Sequence, residues 1–255
     1  MSNYYTTNAM YEYLEDNETP GFLFAKENIW LLIYGTAASE PRFILVASAV
    51  SRQEMEELTL GEHEEDIINV ASRLSEKSGL NAYVLRYCKN DAALKDIQLI
   101  NLREEVYVNT SIEQLYDLFE GNGLSPSGTG SAKSVNDKVS SAFHKWQRAN
   151  LGKEICASDI DLLRMDGEEP VCIYELKRSY YTLERWEPFS DDFPNYKLIA
   201  TFASMANMDF QIVYNRRTTS PFFDDISTLK RFTFSPQNER ARYLDTISLE
   251  DFLRG

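Results

Sequence analysis

Two acidic residues and one lysine are spaced as a metal-assisted hydrolase would require. Asp161 lies in Ser158-Asp-Ile-Asp-Leu-Leu163, and fourteen residues further on Glu175 precedes Lys177 in Tyr174-Glu-Leu-Lys-Arg-Ser179. Ile160, Leu162 and Leu163 in the first segment, and Val171, Ile173 and Leu176 in the second, make both read as strands. Met165-Asp-Gly-Glu-Glu-Pro170, with Gly167 near its tip, reads as the hairpin connection between them. Strand side chains alternate in face, so Asp159, Asp161 and Leu163 share one side, as do Glu175 and Lys177. If the strands pair, Asp161, Glu175 and Lys177 converge on one edge. Carboxylates a few ångströms apart repel unless a proton or a divalent cation lies between them, and hard oxygen donors suit Mg²⁺ or Mn²⁺. The expected metal ligands are Asp161 and Glu175 with Asp159. Lys177 would hold a phosphate or position a water. The chemistry is metal-assisted phosphodiester hydrolysis. The competing reading makes the D-x-D turn chemistry and the E-x-K a cross-strand ion pair. Against it, both strands are otherwise apolar, where unpaired charge is costly to bury.

The elements that must carry these residues are legible on both sides. Residues 134–150 place Val135, Val139, Ala142, Phe143 and Trp146 at helical spacing, with Ser134 or Asn136 as cap. Pro194 opens a helix running to Asn207, with Tyr196, Leu198, Ile199, Phe202 and Ala203 on its apolar face. Phe210-Gln-Ile-Val-Tyr-Asn215 is a further strand, and Ile247–Leu253 reads as a short closing helix capped by Ser248. At these positions the chain resembles the PD-(D/E)XK nuclease superfamily, which contains many restriction endonucleases. That family places an acid at the start of one strand and (D/E)-x-K on the next, with a helix before and a helix after. The resemblance covers roughly residues 130–235, and Ile160 stands where the family name has proline.

This resemblance implies a restriction-endonuclease-like mixed sheet flanked by helices. It also implies that Asp161, Glu175 and Lys177 are catalytic, with Mg²⁺ or Mn²⁺ as cofactor. The upstream helix often contributes another acid in the superfamily, which draws attention to Asp137, and RNA-cleaving branches place a metal-binding histidine there, which draws attention to His144. Beyond the lysine, Arg178, Tyr181, Arg185 and Trp186 interleave basic and aromatic residues. That mixture suits phosphate contact with base stacking, although Tyr181 and Trp186 read equally well as core or loop anchors.

The first half reads as a separate object. Gly21–Ala25 and Asn28–Tyr34 form an expected hairpin and Phe43–Val50 a third strand. A largely helical stretch from Arg52 to Lys77 follows, then strands at Asn81–Tyr87 and Ile97–Asn101 and a helix at Ser111–Glu120. A smaller α+β domain with a mostly antiparallel sheet fits this order. The small-residue run around 125–134 reads as a linker, dividing the chain into 1–124 and 135–255. The fold class expected overall is α/β, or α+β taken over the whole chain.

Charge supports that division. The net charge is −14, which opposes polyanion binding. Residues 1–124 carry 21 acidic against 9 basic side chains, a balance of −12, and residues 125–255 carry 19 against 17, a balance of −2. The acidic half is therefore expected to meet a protein partner or a second copy, leaving nucleic acid to the other half. Three cysteines without C-x-x-C spacing argue against a disulfide framework or zinc site. No apolar run of about 18 residues exists, so no membrane is expected and the location expected is cytoplasmic. The resulting expectation is a Mg²⁺-dependent endonuclease of the restriction type acting on DNA. The alternatives are a catalytically silent nuclease fold serving as a nucleic-acid or protein-binding module, and an RNA-directed nuclease using His144.

Overall fold

The computed structural model describes residues 8–26, 28–104, 106–130 and 141–255. The first half runs α1 (Ala9–Asp16), β1 (Phe22–Leu23), β2 (Ile29–Thr36), β3 (Pro41–Val50), α2 (Arg52–Glu57) and α3 (Glu62–Ser78). It continues with β4 (Asn81–Cys88), β5 (Ile97–Asn101), β6 (Val106–Thr110) and α4 (Ile112–Gly121). The second half adds α5 (Ala142–Asn150), β7 (Ile155–Asp159), β8 (Leu162–Asp166), β9 (Glu169–Ser179) and α6 (Phe193–Met205). It closes with β10 (Asp209–Thr219), β11 (Phe222–Ser235), β12 (Arg240–Ser248) and α7 (Leu249–Arg254).

These strands form two six-stranded mixed sheets, ordered β6-β5-β4-β3-β2-β7 and β1-β8-β9-β10-β11-β12. Parallel neighbours need a crossover. Accordingly α2 and α3 connect the parallel pair β3 and β4, and α6 connects the parallel pair β9 and β10. The other described pairings are antiparallel. The chain is thus a mixed α+β protein with helices on its sheets.

The near-continuous apolar runs of β2 and β3 follow from burial on both faces. Leu31, Ile33, Ile44 and Val46 point into one core with Ile67, Val70 and Leu74 of α3 and Ile199 and Phe202 of α6. Their neighbours Leu32, Tyr34, Phe43 and Leu45 point the other way, into a core closed by Leu115 and Phe119 of α4 and Phe143 and Trp146 of α5. The first of these cores also contains Leu163, Ile173, Ile212 and Phe232 of the second sheet. Helices α3 and α6 therefore lie between the sheets. A third core packs Met10 and Leu14 of α1 and Phe252 of α7 on the far face of the second sheet, against Leu162, Tyr174 and Val213. At Gly35 of β2 the helical layer comes so close that a Cβ would lie 2.5 Å from the Leu198 side chain.

Several boundaries differ from the sequence reading. The stretch 158–163 is not one strand: Asp159 ends β7, Leu162 begins β8, and these belong to different sheets. Phe22 and Leu23 do not fold back on β2. They pair with Arg164 and Leu163 of β8, because Phe22 packs on Phe252 with ring centroids 5.6 Å apart. The edge of β2 is taken instead by β7. The sheets consequently do not follow the expected boundary at 125–134, since each half contributes a strand to the other's sheet. Residues 131–134 of that segment lie outside the described residues.

The helical stretch from Arg52 breaks at Leu58, which adopts a left-handed conformation (φ 55°). Fully buried Arg86 takes up the break, donating to the Thr59 carbonyl at 2.6 Å and to Glu64 at 3.0 Å. This satisfies the Thr59 carbonyl just past the end of α2.

Candidate active site

Asp161 occupies the joint between the two sheets. Just before it the Ile160 N–H donates to the Leu31 carbonyl in the first sheet, and just after it Leu162 pairs with Tyr174 in the second. Beyond Tyr174, strand β9 has no β8 residue beside it, which leaves the Leu176 N–H without a ladder partner. The Asp161 carboxylate accepts it through Oδ2 at 2.8 Å. From α1, the Tyr11 hydroxyl donates to the Asp161 carbonyl at 2.9 Å. The joint is therefore held from three sides.

Glu175 and Lys177 share the face of β9 that looks toward α6, as alternation requires. Lys177 Nζ lies 2.8 Å from Glu175 Oε1 and 3.9 Å from Asp192 Oδ2, at the turn that leads into α6. The Tyr196 ring lies beneath the ammonium at 5.5 Å, and its hydroxyl donates to Asp192 at 3.2 Å. The Glu175 carboxylate is almost wholly buried.

The charges work against one another. Burial raises the Asp161 pKa well above the usual carboxylate range, and Glu175 and Asp159 add to the rise, while Lys177 and the Leu176 N–H oppose it. Burial also raises Glu175, against the lowering effect of Lys177. For Lys177, burial alone would lower the pKa, but the Glu175 and Asp161 charges outweigh it and the ammonium is held above its ordinary value. The cluster thus sets two reluctant carboxylates beside one firmly protonated amine, the kind of perturbation that gathers at functional sites.

Asp159 faces the side of the first sheet that α5 covers. It is paired with Leu32 of β2, and it is exposed. Its charge acts on Asp161, Glu175 and also His144. His144 is capped through Nδ1 by the Ser141 hydroxyl at 2.8 Å and meets the Trp30 ring edge-on at 4.6 Å. Burial lowers its pKa, favouring the neutral imidazole that a metal needs. Asp137 lies outside the described residues. Among the described residues, no three histidine, cysteine, aspartate or glutamate side chains come together as a metal-holding group.

Past the lysine, the four expected nucleic-acid contacts divide. Trp186 is 2% exposed and stacks on Tyr214 with ring centroids 4.1 Å apart, while its carbonyl accepts from Lys230 at 2.8 Å. It is a core anchor, with no face left for a base, because the turn after β9 folds back over β10. Arg178 points to the opposite face of the sheet from Lys177 and pairs with Asp224 at 2.8 Å. Tyr181 is 54% exposed, its carbonyl held by the Tyr214 hydroxyl at 2.6 Å, and Arg185 is exposed. These two remain open to a ligand. As site residues, Tyr11, Asp192 and Tyr196 escaped the sequence reading, which placed Tyr196 only on the apolar face of the helix. Asp192 and Tyr196 were signalled only by their place at the start of the helix after the E-x-K strand, and Tyr11, 150 residues from Asp161, by nothing.

Comparison with family models, with curated proteins and with solved structures gives no match for this chain. Among the described residues, no helix is long and apolar enough to cross a membrane.

Proposed function

We propose that the chain is a divalent-metal-dependent nuclease whose site is Asp161, Glu175 and Lys177. The observation that carries this reading is the pairing of buried Glu175 with half-buried Lys177 at 2.8 Å beside Asp161, a half-buried carboxylate at the seam of two sheets. A structural ion pair needs one acid. Here a second carboxylate adds repulsion that a bound cation would relieve. The order β8, β9, α6, β10, with β9 and β10 parallel, supports likeness to the restriction-endonuclease-like core.

The donor set fits a hard cation: Asp161 and Glu175 supply carboxylate oxygens, with Asp159 nearby. When bound, Mg²⁺ or Mn²⁺ would polarise a scissile phosphate and lower the pKa of a bound water. The chain's own groups do the rest. Lys177, kept as an ammonium by Glu175, is a donor and not a base, so its place is against negative charge developing on the phosphoryl oxygens. The Leu176 N–H and Tyr11 fix Asp161, and Asp192 and Tyr196 fix Lys177 from the α6 side. Arg185 and Tyr181, both exposed past the lysine, suit phosphate contact and stacking.

A second reading has an observation of its own. Lys177 is bound on two sides by Glu175 and Asp192, an arrangement that also suits a silent nuclease fold serving as a binding module. The test is incubation of the full chain with plasmid, linear DNA and RNA, with and without Mg²⁺ or Mn²⁺, alongside calorimetric titration of the metal alone. Cleavage that needs the metal and is lost in Asp161→Asn supports the nuclease. Absence of both metal binding and cleavage leaves the binding module.

A further inference from the structure

Strands β10 and β11 run past the end of β9. The β9–β10 ladder closes at Arg216 opposite Ser179, while the β10–β11 ladder continues to Thr219 opposite Phe222. The hairpin tip is therefore a free arm beyond the candidate site, held in shape by the Thr218 hydroxyl, which donates to the Pro221 carbonyl at 2.7 Å. Its faces follow from the ladders. Tyr214 is opposite Lys177, Arg216 opposite Ser179, and Thr218 opposite Phe223. Residues opposite one another share a face, so Arg216 and Phe223 lie on the same side of the sheet as Glu175 and Lys177.

Both residues are open to solvent. Phe223 is 58% exposed, the most exposed of the large apolar side chains among the described residues. Arg216 is exposed and makes no ion pair among the described residues. Its cross-strand neighbour Asp225 is engaged elsewhere, accepting from the Ser227 N–H at 3.0 Å and hydroxyl at 2.6 Å. Glu184 feels the Arg216 charge, but no carboxylate closes on the guanidinium among the described residues. Thr218 is four residues past Tyr214, which puts Phe223 about 13 Å beyond the Lys177 row at about 3.3 Å per residue. That distance is about four stacked nucleotides. A bare aromatic face beside a bare guanidinium matches an unpaired base and its phosphate, since a duplex offers its base faces to no side chain.

We infer that the β10–β11 arm grips single-stranded nucleic acid leaving the Asp161–Glu175–Lys177 site, with Phe223 stacking on a base and Arg216 on the adjoining phosphate. This deepens the nuclease reading and rests on it for the direction of the strand.

The test is fluorescence anisotropy of the full chain in EDTA, with a labelled oligothymidine and a duplex of equal length. The single strand should bind more tightly than the duplex. Phe223→Ala should weaken it by about 5- to 150-fold, the worth of one stacked base, and Phe223→Trp should restore it. Arg216→Ala should reduce the salt dependence of binding by about 0.7 in log–log slope. Because Phe223 is exposed, its variants should keep the wild-type thermal transition, which is recorded alongside. Equal single-strand binding by wild type and Phe223→Ala would overturn the inference, as would wild type binding no single strand. A Phe223-dependent change in sedimentation without nucleic-acid binding would overturn it too, assigning the arm to a protein partner. Metal-dependent cleavage by a wild type whose single-strand binding ignores Phe223 would sink the arm and leave the nuclease reading standing. Phe223-dependent binding without cleavage would do the reverse.

Discussion

Asp161 Oδ2 accepts the Leu176 N–H at 2.8 Å just before β8 begins, where β9 loses β8 on one side and keeps β10 on the other. One carboxylate thus replaces a missing ladder residue and stands beside the Glu175 charge. The first role needs only an acceptor; the second needs a negative charge, which burial and Glu175 make costly.

Asp161→Asn separates these roles. Its amide oxygen can still accept from Leu176, so the joint should hold. In the wild type the raised pKa means that the folded chain keeps its proton where the unfolded chain has lost it. Stability therefore falls as pH rises from the ordinary carboxylate value through the raised one, and stays lower above it. Removing the charge should raise Tm at neutral pH, by about 2–4 °C for each kcal/mol relieved, with the gap closing in acid. Metal-dependent cleavage should vanish. A Tm difference that is the same at pH 7 and in acid would show that Asp161 bears no such electrostatic cost.

Lys177→Met should leave Mg²⁺ binding intact at alkaline pH, because the ammonium is no ligand, while turnover drops about 10²–10³-fold. Glu175 loses the partner that most lowers its pKa against burial. Its carboxylate should then need a higher pH to ionise, shifting the acidic limb of the pH–rate profile upward. An unshifted limb would show that Glu175 ionisation does not limit the reaction.

The candidate triad was legible because its residue types conflict with their neighbours: Asp161, Glu175 and Lys177 are charged in stretches of sequence that are otherwise apolar. The strand–helix–strand order around them was legible for the same reason of periodicity, and Pro194 marked the start of α6. What escaped was long-range. Ile160 looks like mid-strand in sequence, yet it is the hinge where the chain passes between sheets, and nothing local distinguishes a strand from a crossing. Phe22 was read against its sequence neighbour β2, while its true partner Phe252 lies at the opposite end of the chain. Trp186 sits among exposed residues in sequence and is stacked in the core in space.

Trp186 and Arg185 offer an adjacent pair with opposite expected behaviour. Trp186→Ala removes a buried ring packed on Tyr214 and Phe232 and should cost about 3–5 kcal/mol. Arg185→Ala removes an exposed side chain and should change stability by no more than about 0.5 kcal/mol, while lowering nucleic-acid affinity and its salt dependence. Thermal melts and anisotropy on both variants check this. A stable Trp186→Ala with impaired binding would restore Trp186 to the ligand-contacting surface.

The last prediction concerns a fragment beginning at residue 128, which contains every candidate catalytic residue but lacks the first half. Cutting there takes β2 away from β7 and β1 away from β8. It also halves the central core, where Leu163, Ile173, Ile199 and Phe202 are buried together with Ile33, Val46, Val70 and Leu74. The cross-links from Arg73 and Lys77 to Glu169 go with them. A remainder that keeps one sheet and exposes the inner faces of both α6 and that sheet lacks a closed core. The fragment should show no cooperative melt by circular dichroism and no metal-dependent cleavage, and co-expression with residues 1–127 should recover both. A cooperative melt with cleavage from the fragment alone would mean that the second sheet folds by itself and that the crossed strands contribute little to its stability.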